Sequence, residues 1–139
     1  MEKNKVEQLI EKSKALCLVG LDFILSFSIE DICKAYNGIG PQFLPEKLRD
    51  KVTSFLGIFE PAALGHDLRF EKSDGTRASF DLANREFVVN CRKCANDAYG
   101  WLNWKRYRAY AVIELMNEFN SGDPGWKAWT DAYKRNHAE

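Results

Sequence analysis

Apolar residues along this chain recur at helical spacing, and alternating strand patterns are nearly absent. The first such stretch predicts one helix from Glu2 to about Ile32, with Leu9, Ile10, Leu16, Val19 and Phe23 as its apolar positions. The one β-favouring run, Phe87-Val88-Val89, lies inside a helical repeat. The pattern therefore predicts an all-α protein.

Glycine and proline divide the remaining chain into further predicted helices. Two glycines and a proline in Tyr36–Pro41 cannot continue a helix, so this segment is predicted to be a loop. Pro45 and Pro61 are each predicted to lie in the first turn of a helix, because proline is favoured there. The other predicted elements are a short helix ending at Gly57, helices 61–72, 77–96 and 102–119, turns 73–76 and 120–125, and a short last helix with Trp126, Trp129 and Tyr133.

The length and composition indicate one ordinary globular domain over residues 1–139. The chain has 45% hydrophobic and 29% charged residues, which argues against intrinsic disorder. Its 20 basic and 20 acidic residues cancel, so binding to nucleic acid through overall charge is not expected. One local run, Trp101–Arg108, combines tryptophan with basic residues. We expect its indoles to pack inward, the alternatives being a lipid interface or stacking on nucleic acid.

The four cysteines do not form a dense disulfide framework. Cys91 and Cys94 have zinc-like spacing, but there is no second pair, and the chain has only two histidines. We therefore interpret Cys17, Cys33, Cys91 and Cys94 as small side chains buried on helices, and whether any of them pair stays open.

The apolar stretch 15–27 resembles a targeting segment only superficially. It is too short to span a bilayer, and Asp22 interrupts it. The residues before it are of mixed charge and no small-residue cleavage site follows. We expect no signal peptide or transmembrane segment, and a soluble, cytoplasmic or virion-associated protein.

Three features could carry chemistry. In Tyr36-x-Gly38-x-Gly40, alternating glycines allow backbone carbonyls to converge, which suits a hard cation such as calcium. His66 and Asp67 are neighbours on a predicted helix and point about 100° apart, so each addresses a different partner. His66 could act as a general base on water, and Asp67 could complete the metal site.

The third feature is Asp81, early in the next predicted helix. Turn 73–76 makes the two helices antiparallel, so Asp81 could face His66 and fix its tautomer. Each feature also has a plainer explanation when taken singly: the glycine loop as an interhelical turn, His66 as a core residue with Asp67 on the surface, and Asp81 as a carboxylate favoured by the helix dipole.

Together the three features resemble the phospholipase A2 superfamily. The segments Pro61–Asp67 (PAALGHD) and Asp81–Phe87 (DLANREF) are similar to the parvoviral capsid lipase domain and to phage and bacterial proteins that lack the disulfides of the secreted enzymes. The resemblance covers 36–94 and implies a core of two antiparallel helices carrying the His-Asp site, with extra helices at both ends.

The resemblance also implies a mechanism. The carbonyls of Tyr36, Gly38 and Gly40, with the Asp67 carboxylate, would bind Ca²⁺. His66 would deprotonate a water that attacks the sn-2 ester of a phospholipid in a membrane surface. Asp81 would orient His66, and calcium with the Gly38 backbone N–H would stabilise the oxyanion.

The chain departs from the family pattern at Phe70, where an aromatic hydroxyl usually lies three residues after the metal-binding aspartate. The family's cysteines are also missing around the loop. The intact set His66, Asp67 and Asp81 favours a phospholipase A2-like ester hydrolase. The departures favour the alternative, a catalytically inactive structural or interaction protein of phage or bacterial origin that keeps the fold.

Overall fold

The computed structural model describes residues 2–36 and 55–138. This part of the chain is all-α and contains no strand, as predicted. In residues 2–36 and 55–138, no helix has the length and apolarity needed to cross a membrane. The helices are α1 (Lys3–Ala15), α2 (Leu21–Leu25), α3 (Ile29–Ala35), α4 (Leu56–Glu71), α5 (Arg77–Ala98), α6 (Trp104–Ser121) and α7 (Asp123–Asn136).

The N-terminal region is three helices, so the prediction of one helix from Glu2 to Ile32 was wrong. Cys17 and Gly20 adopt left-handed backbone conformations, with φ of 53° and 86°, which end α1 and start α2. Asn90 of α5 stabilises this break through both backbone groups of Val19. Its Oδ1 accepts from Val19 N at 2.8 Å, and its Nδ2 donates to Val19 O at 2.9 Å. A contact 71 residues away along the chain therefore interrupts a helical periodicity.

An ion pair between a half-buried arginine and a buried glutamate joins α2, α4 and α5. Arg69 donates from Nε to Glu86 Oε1 at 3.3 Å and from Nη2 to Glu86 Oε2 at 3.1 Å. The Arg69 guanidinium also lies 3.9 Å from the ring centroid of Phe23. A Cβ at Gly20 would come within 2.5 Å of the Glu86 carboxylate, so only glycine fits against this pair.

Helices α4 and α5 are antiparallel neighbours, as predicted. The turn between them has Gly75 at φ 76°, and Thr76 caps α5 by accepting from Ser79 N. The order of contacts shows the antiparallel arrangement, since Arg69 meets Glu86 near the turn while Phe55 meets Tyr99 far from it. Helix α4 begins at Leu56, so Pro61 lies inside it and not in its first turn.

Helices α6 and α7 complete the described fold. The predicted loop 120–125 is reduced to Gly122, the one residue between the two helices. A Cβ at Gly125 would lie 1.7 Å from the Asn120 carbonyl oxygen, so glycine is required where the start of α7 approaches the end of α6. Trp129 of α7 packs in a second core with Phe80 and Ala83 of α5, and Phe70 packs against it.

The cysteines match their predicted burial only in part. Cys91 and Cys94 are buried on α5, and burial raises the pKa of the Cys94 thiol to about 11. Cys17 is exposed and Cys33 is half-buried, so these two do not match. The predicted helix beginning at Pro45 lies almost wholly outside the described residues, and its last predicted residue, Gly57, is part of α4.

Candidate active site

His66 lies in the second half of α4 between two phenylalanine rings. Its ring centroid is 4.4 Å from that of Phe70 and 4.6 Å from that of Phe87. Phe70 continues this stack toward Trp129, whose ring it meets edge-on at 5.0 Å. The imidazole is therefore held in a fixed plane by aromatic packing between α4 and α5.

Asn84 of α5 is the hydrogen-bond partner of His66. His66 Nε2 lies 2.9 Å from Asn84 Oδ1, and Asn84 Nδ2 donates to the carbonyl of Asn120 at 3.1 Å. Because the Nδ2 group faces a carbonyl, the oxygen of the amide must be the atom that faces His66. Asn84 Oδ1 can only accept, so His66 carries its proton on Nε2. Nδ1 then has the free lone pair that a general base needs.

The His66 imidazole is a weak base in this environment. Burial lowers its pKa from the usual 6.5 to about 4, although the hydrogen bond to Asn84 acts in the opposite direction. Asn84 is neutral, so its hydrogen bond offsets the cost of charging a ring packed between phenylalanines less than a carboxylate would. His66 is therefore neutral at pH 7 and able to accept a proton.

Asp81 does not occupy the place that the sequence analysis gave it. Its side chain is exposed and pairs with Arg77 on the same helix, Oδ1 to Nε at 3.5 Å. The apolar face of α5 carries Phe80, Ala83 and Phe87, and Asn84 lies on that face while Asp81 lies at its edge. The same periodicity places Asn84 among several residues of the buried face, but periodicity alone does not indicate which of them meets His66.

Asp81 and Asn84 nevertheless line one polar depression. This depression has a volume of about 340 Å³, and its other lining residues are Arg85, Asn117 and Ser121. The depression therefore lies over Asn84, the partner of His66, and Asp81 lies at its exposed side.

Tyr36 and Asp67 lie in the same electrostatic environment. Tyr36 is buried at the end of α3, and burial is the main reason that the pKa of its phenol is raised well above its usual value. The negative charges of Glu60 and Asp67 raise it further. The Tyr36 hydroxyl is buried without a hydrogen-bond partner among the described residues. The phenol of Tyr36, the first residue of the predicted calcium loop, therefore lies within electrostatic range of Asp67.

Gly38 and Gly40 lie outside the described residues. Within 2–36 and 55–138, no three His, Cys, Asp or Glu side chains are grouped to hold a metal ion. The described donors of the predicted site are oxygens only, from Tyr36 and Asp67. Oxygen donors are the type that calcium prefers, so these residues fit a hard cation.

The low pKa of His66 predicts a pH dependence of folding stability. The folded state holds the ring neutral down to about pH 4, whereas the unfolded chain protonates it near pH 6.5. This stabilisation is complete above about pH 6.5 and declines as pH falls toward 4, for a total loss of about 3 kcal/mol. Urea unfolding of wild type and His66→Gln across this range measures the difference. The matched variant is His137→Gln, since His137 is exposed and lies directly after the end of α7.

A free energy of unfolding that changes equally with pH in wild type and His66→Gln would contradict this assignment. His137→Gln should follow wild type throughout.

Comparison of the chain with protein-family models, with curated proteins and with solved structures finds no match. The phospholipase A2 resemblance therefore depends on the residues quoted above.

Proposed function

We propose that this protein is a calcium-dependent phospholipase A2-like hydrolase that cleaves the sn-2 acyl ester of phospholipids. The observation that carries the proposal is the anchored His66–Asn84 pair, which leaves Nδ1 as the proton acceptor. A neutral histidine that is held in one tautomer and keeps a free ring nitrogen can act as the general base that activates a water.

The chain's own groups account for the proton transfer. His66 Nδ1 accepts the proton of the attacking water, and Nε2–H stays bonded to Asn84 Oδ1 throughout. Phe70 and Phe87 keep the ring in plane and limit its contact with bulk water. The positive charge that develops on the imidazole is stabilised less by the neutral amide of Asn84 than it would be by a carboxylate. We therefore expect slower turnover than a carboxylate partner would allow.

Asp67 and the carbonyl of Tyr36, with the carbonyls of Gly38 and Gly40, would hold the calcium ion. The chemistry that calcium supplies at such a site is polarisation of the ester carbonyl. The charge of Asp67 helps to raise the pKa of the Tyr36 phenol, and this long-range interaction between two residues of the expected ligand set supports the assignment. One carboxylate among neutral donors suggests weak binding, with Kd on the order of 10⁻⁴ to 10⁻³ M.

The second candidate is a catalytically inactive protein with the same fold that acts in assembly or interaction. The neutral Asn84 favours it, because an amide cannot stabilise an imidazolium as a carboxylate does. The two candidates differ in whether the protein hydrolyses phospholipid with His66 as the general base.

Hydrolysis of defined phospholipid vesicles in millimolar calcium tests the proposal. We expect wild type to release fatty acid from the sn-2 position, and chelation of calcium to stop it. His66→Ala should lose the activity and keep calcium binding, while Asp67→Asn should lose calcium binding and, with it, activity. Isothermal titration with calcium measures the second property independently of turnover.

His137→Ala is the matched control for His66→Ala, because it removes the other histidine without touching the site. Wild type that binds calcium but releases no fatty acid from any vesicle would favour the second candidate. Equal rates in wild type and His66→Ala would exclude His66 as the base.

A further inference from the structure

The turn between α5 and α6, together with the start of α6, exposes large apolar side chains. Trp101 is 68% exposed, Leu102 79% and Trp104 63%, the highest values for large hydrophobic residues in the described chain. The prediction that these indoles pack inward was therefore wrong. Tyr107, in the first turn of α6, is also exposed, and we call these four residues the tryptophan patch.

The backbone under the tryptophan patch is firmly attached to α5. Arg106 donates from Nε to Tyr99 O at 2.8 Å and from Nη2 to Asn96 O at 3.1 Å. Asn103 caps α6 by accepting from the Lys105 backbone. The Tyr107 hydroxyl donates to the carbonyl of Trp101. The patch is therefore a preorganised projection, and burying it in a partner costs little ordering of the backbone.

The charge around the patch is positive. Lys105 and Arg108 are exposed, and among the described residues neither is ion-paired with a carboxylate. Arg108 lies 5.9 Å from the ring centroid of Trp104. The nearest acidic residues along the chain are already neutralised, Asp97 by Lys12 and Glu114 by Arg92. An anionic surface is therefore the complementary partner.

We propose that the tryptophan patch is a docking surface for anionic lipid membranes. Indole rings favour the boundary between headgroups and acyl chains, and Leu102 can enter the apolar layer beside them. Lys105 and Arg108 lie where they can contact anionic headgroups. The patch is separate from the His66 site, because Asn84 and the end of α5 at Ala98 are about 20 Å apart along the helix.

Cosedimentation with vesicles tests this proposal in the full chain. Vesicles of phosphatidylcholine with about one third phosphatidylserine are compared with pure phosphatidylcholine, in chelator so that calcium plays no part. We expect binding to the phosphatidylserine vesicles that weakens with salt. The double variant Trp101→Ala/Trp104→Ala should bind at least about tenfold more weakly. Lys105→Gln/Arg108→Gln should also bind these vesicles more weakly and should lose the preference for them.

Matched variants separate the patch from general surface properties. Leu82→Ala removes an apolar side chain that is 50% exposed elsewhere on α5, and Lys127→Gln/Lys134→Gln removes two cations of α7. Both should bind as wild type does. Binding is measured in chelator, so failure of the calcium-dependent catalytic proposal leaves this one standing.

Three results would overturn the proposal. The first is equal vesicle binding by wild type and Trp101→Ala/Trp104→Ala. The second is self-association in sedimentation equilibrium that the same double variant abolishes, which would make the patch a contact between two copies. The third is tighter binding to a single-stranded oligonucleotide than to phosphatidylserine vesicles, lost in the same variant, which would make stacking on bases its role.

Discussion

Asn84→Leu is expected to lower the rate of phospholipid hydrolysis by about three orders of magnitude or more, while Asp81→Asn leaves it within about twofold. Leucine cannot accept a hydrogen bond from His66 Nε2–H, so the imidazole is free to adopt the tautomer that protonates Nδ1. Loss of tautomer control in a catalytic triad has an effect of similar size. Asp81 pairs with Arg77 at the surface, so neutralising it changes only an exposed ion pair.

The nitrogen chemical shifts of the His66 ring provide a readout independent of turnover. Wild type and Asp81→Asn should both show a single tautomer with the proton on Nε2, and Asn84→Leu should show a mixture. Asn84→Asp should keep the tautomer and raise the pKa of His66 above 4, because a carboxylate stabilises the imidazolium. If Asp81→Asn changed the ring signals and Asn84→Leu did not, Asp81 would be the orienting residue that the sequence analysis proposed.

Glu86→Ala is expected to lower the free energy of unfolding by about 3–5 kcal/mol. Glu86 is 8% exposed, and its removal leaves the Arg69 guanidinium without its partner between α4 and α5. The contact of Arg69 with the ring of Phe23 does not replace a bidentate carboxylate. Urea denaturation of the variant and wild type at one pH measures the difference.

Glu114→Ala is the matched control for this experiment. Its ion pair with Arg92 has both side chains more than half exposed, so it should cost no more than about 1 kcal/mol. The double variant Arg69→Met/Glu86→Leu should recover much of the stability, since it removes both buried charges together. A Glu86→Ala variant no less stable than Glu114→Ala would show that the pair contributes only as a surface contact.

The helical class and the central hairpin were predictable because they depend on short-range interactions. Apolar residues spaced three to four apart specify one buried face of a helix. In the turn 73–76, Asp74 accepts a hydrogen bond from Thr76 N and Gly75 adopts a positive φ, and both are local interactions. His66 and Asp67 were therefore placed on the correct helix. The prediction of a continuous N-terminal helix was wrong because the break in that helix depends on a long-range interaction. Val19 bonds to Asn90, a residue 71 positions further along the chain.

In the candidate site too, short-range interactions were predictable and long-range packing was not. The sequence indicated that a side chain of α5 would meet His66, since α4 and α5 are antiparallel. Which side chain does so depends on the rotation of α5 about its axis, which is decided by the packing of Phe80, Ala83 and Phe87. That rotation brings Asn84 inward and leaves Asp81 with Arg77.

The sequence by itself determined that this protein is all-α, that two antiparallel helices form its centre, and that His66 and Asp67 are adjacent on one of them. These properties follow from periodicity and turn chemistry, which act over about four residues. Only the tertiary structure decided the break after α1, the choice of Asn84 as partner and the exposure of Trp101 and Trp104. Each of these depends on which surfaces of distant helices meet, and a side chain is buried only if another element covers it.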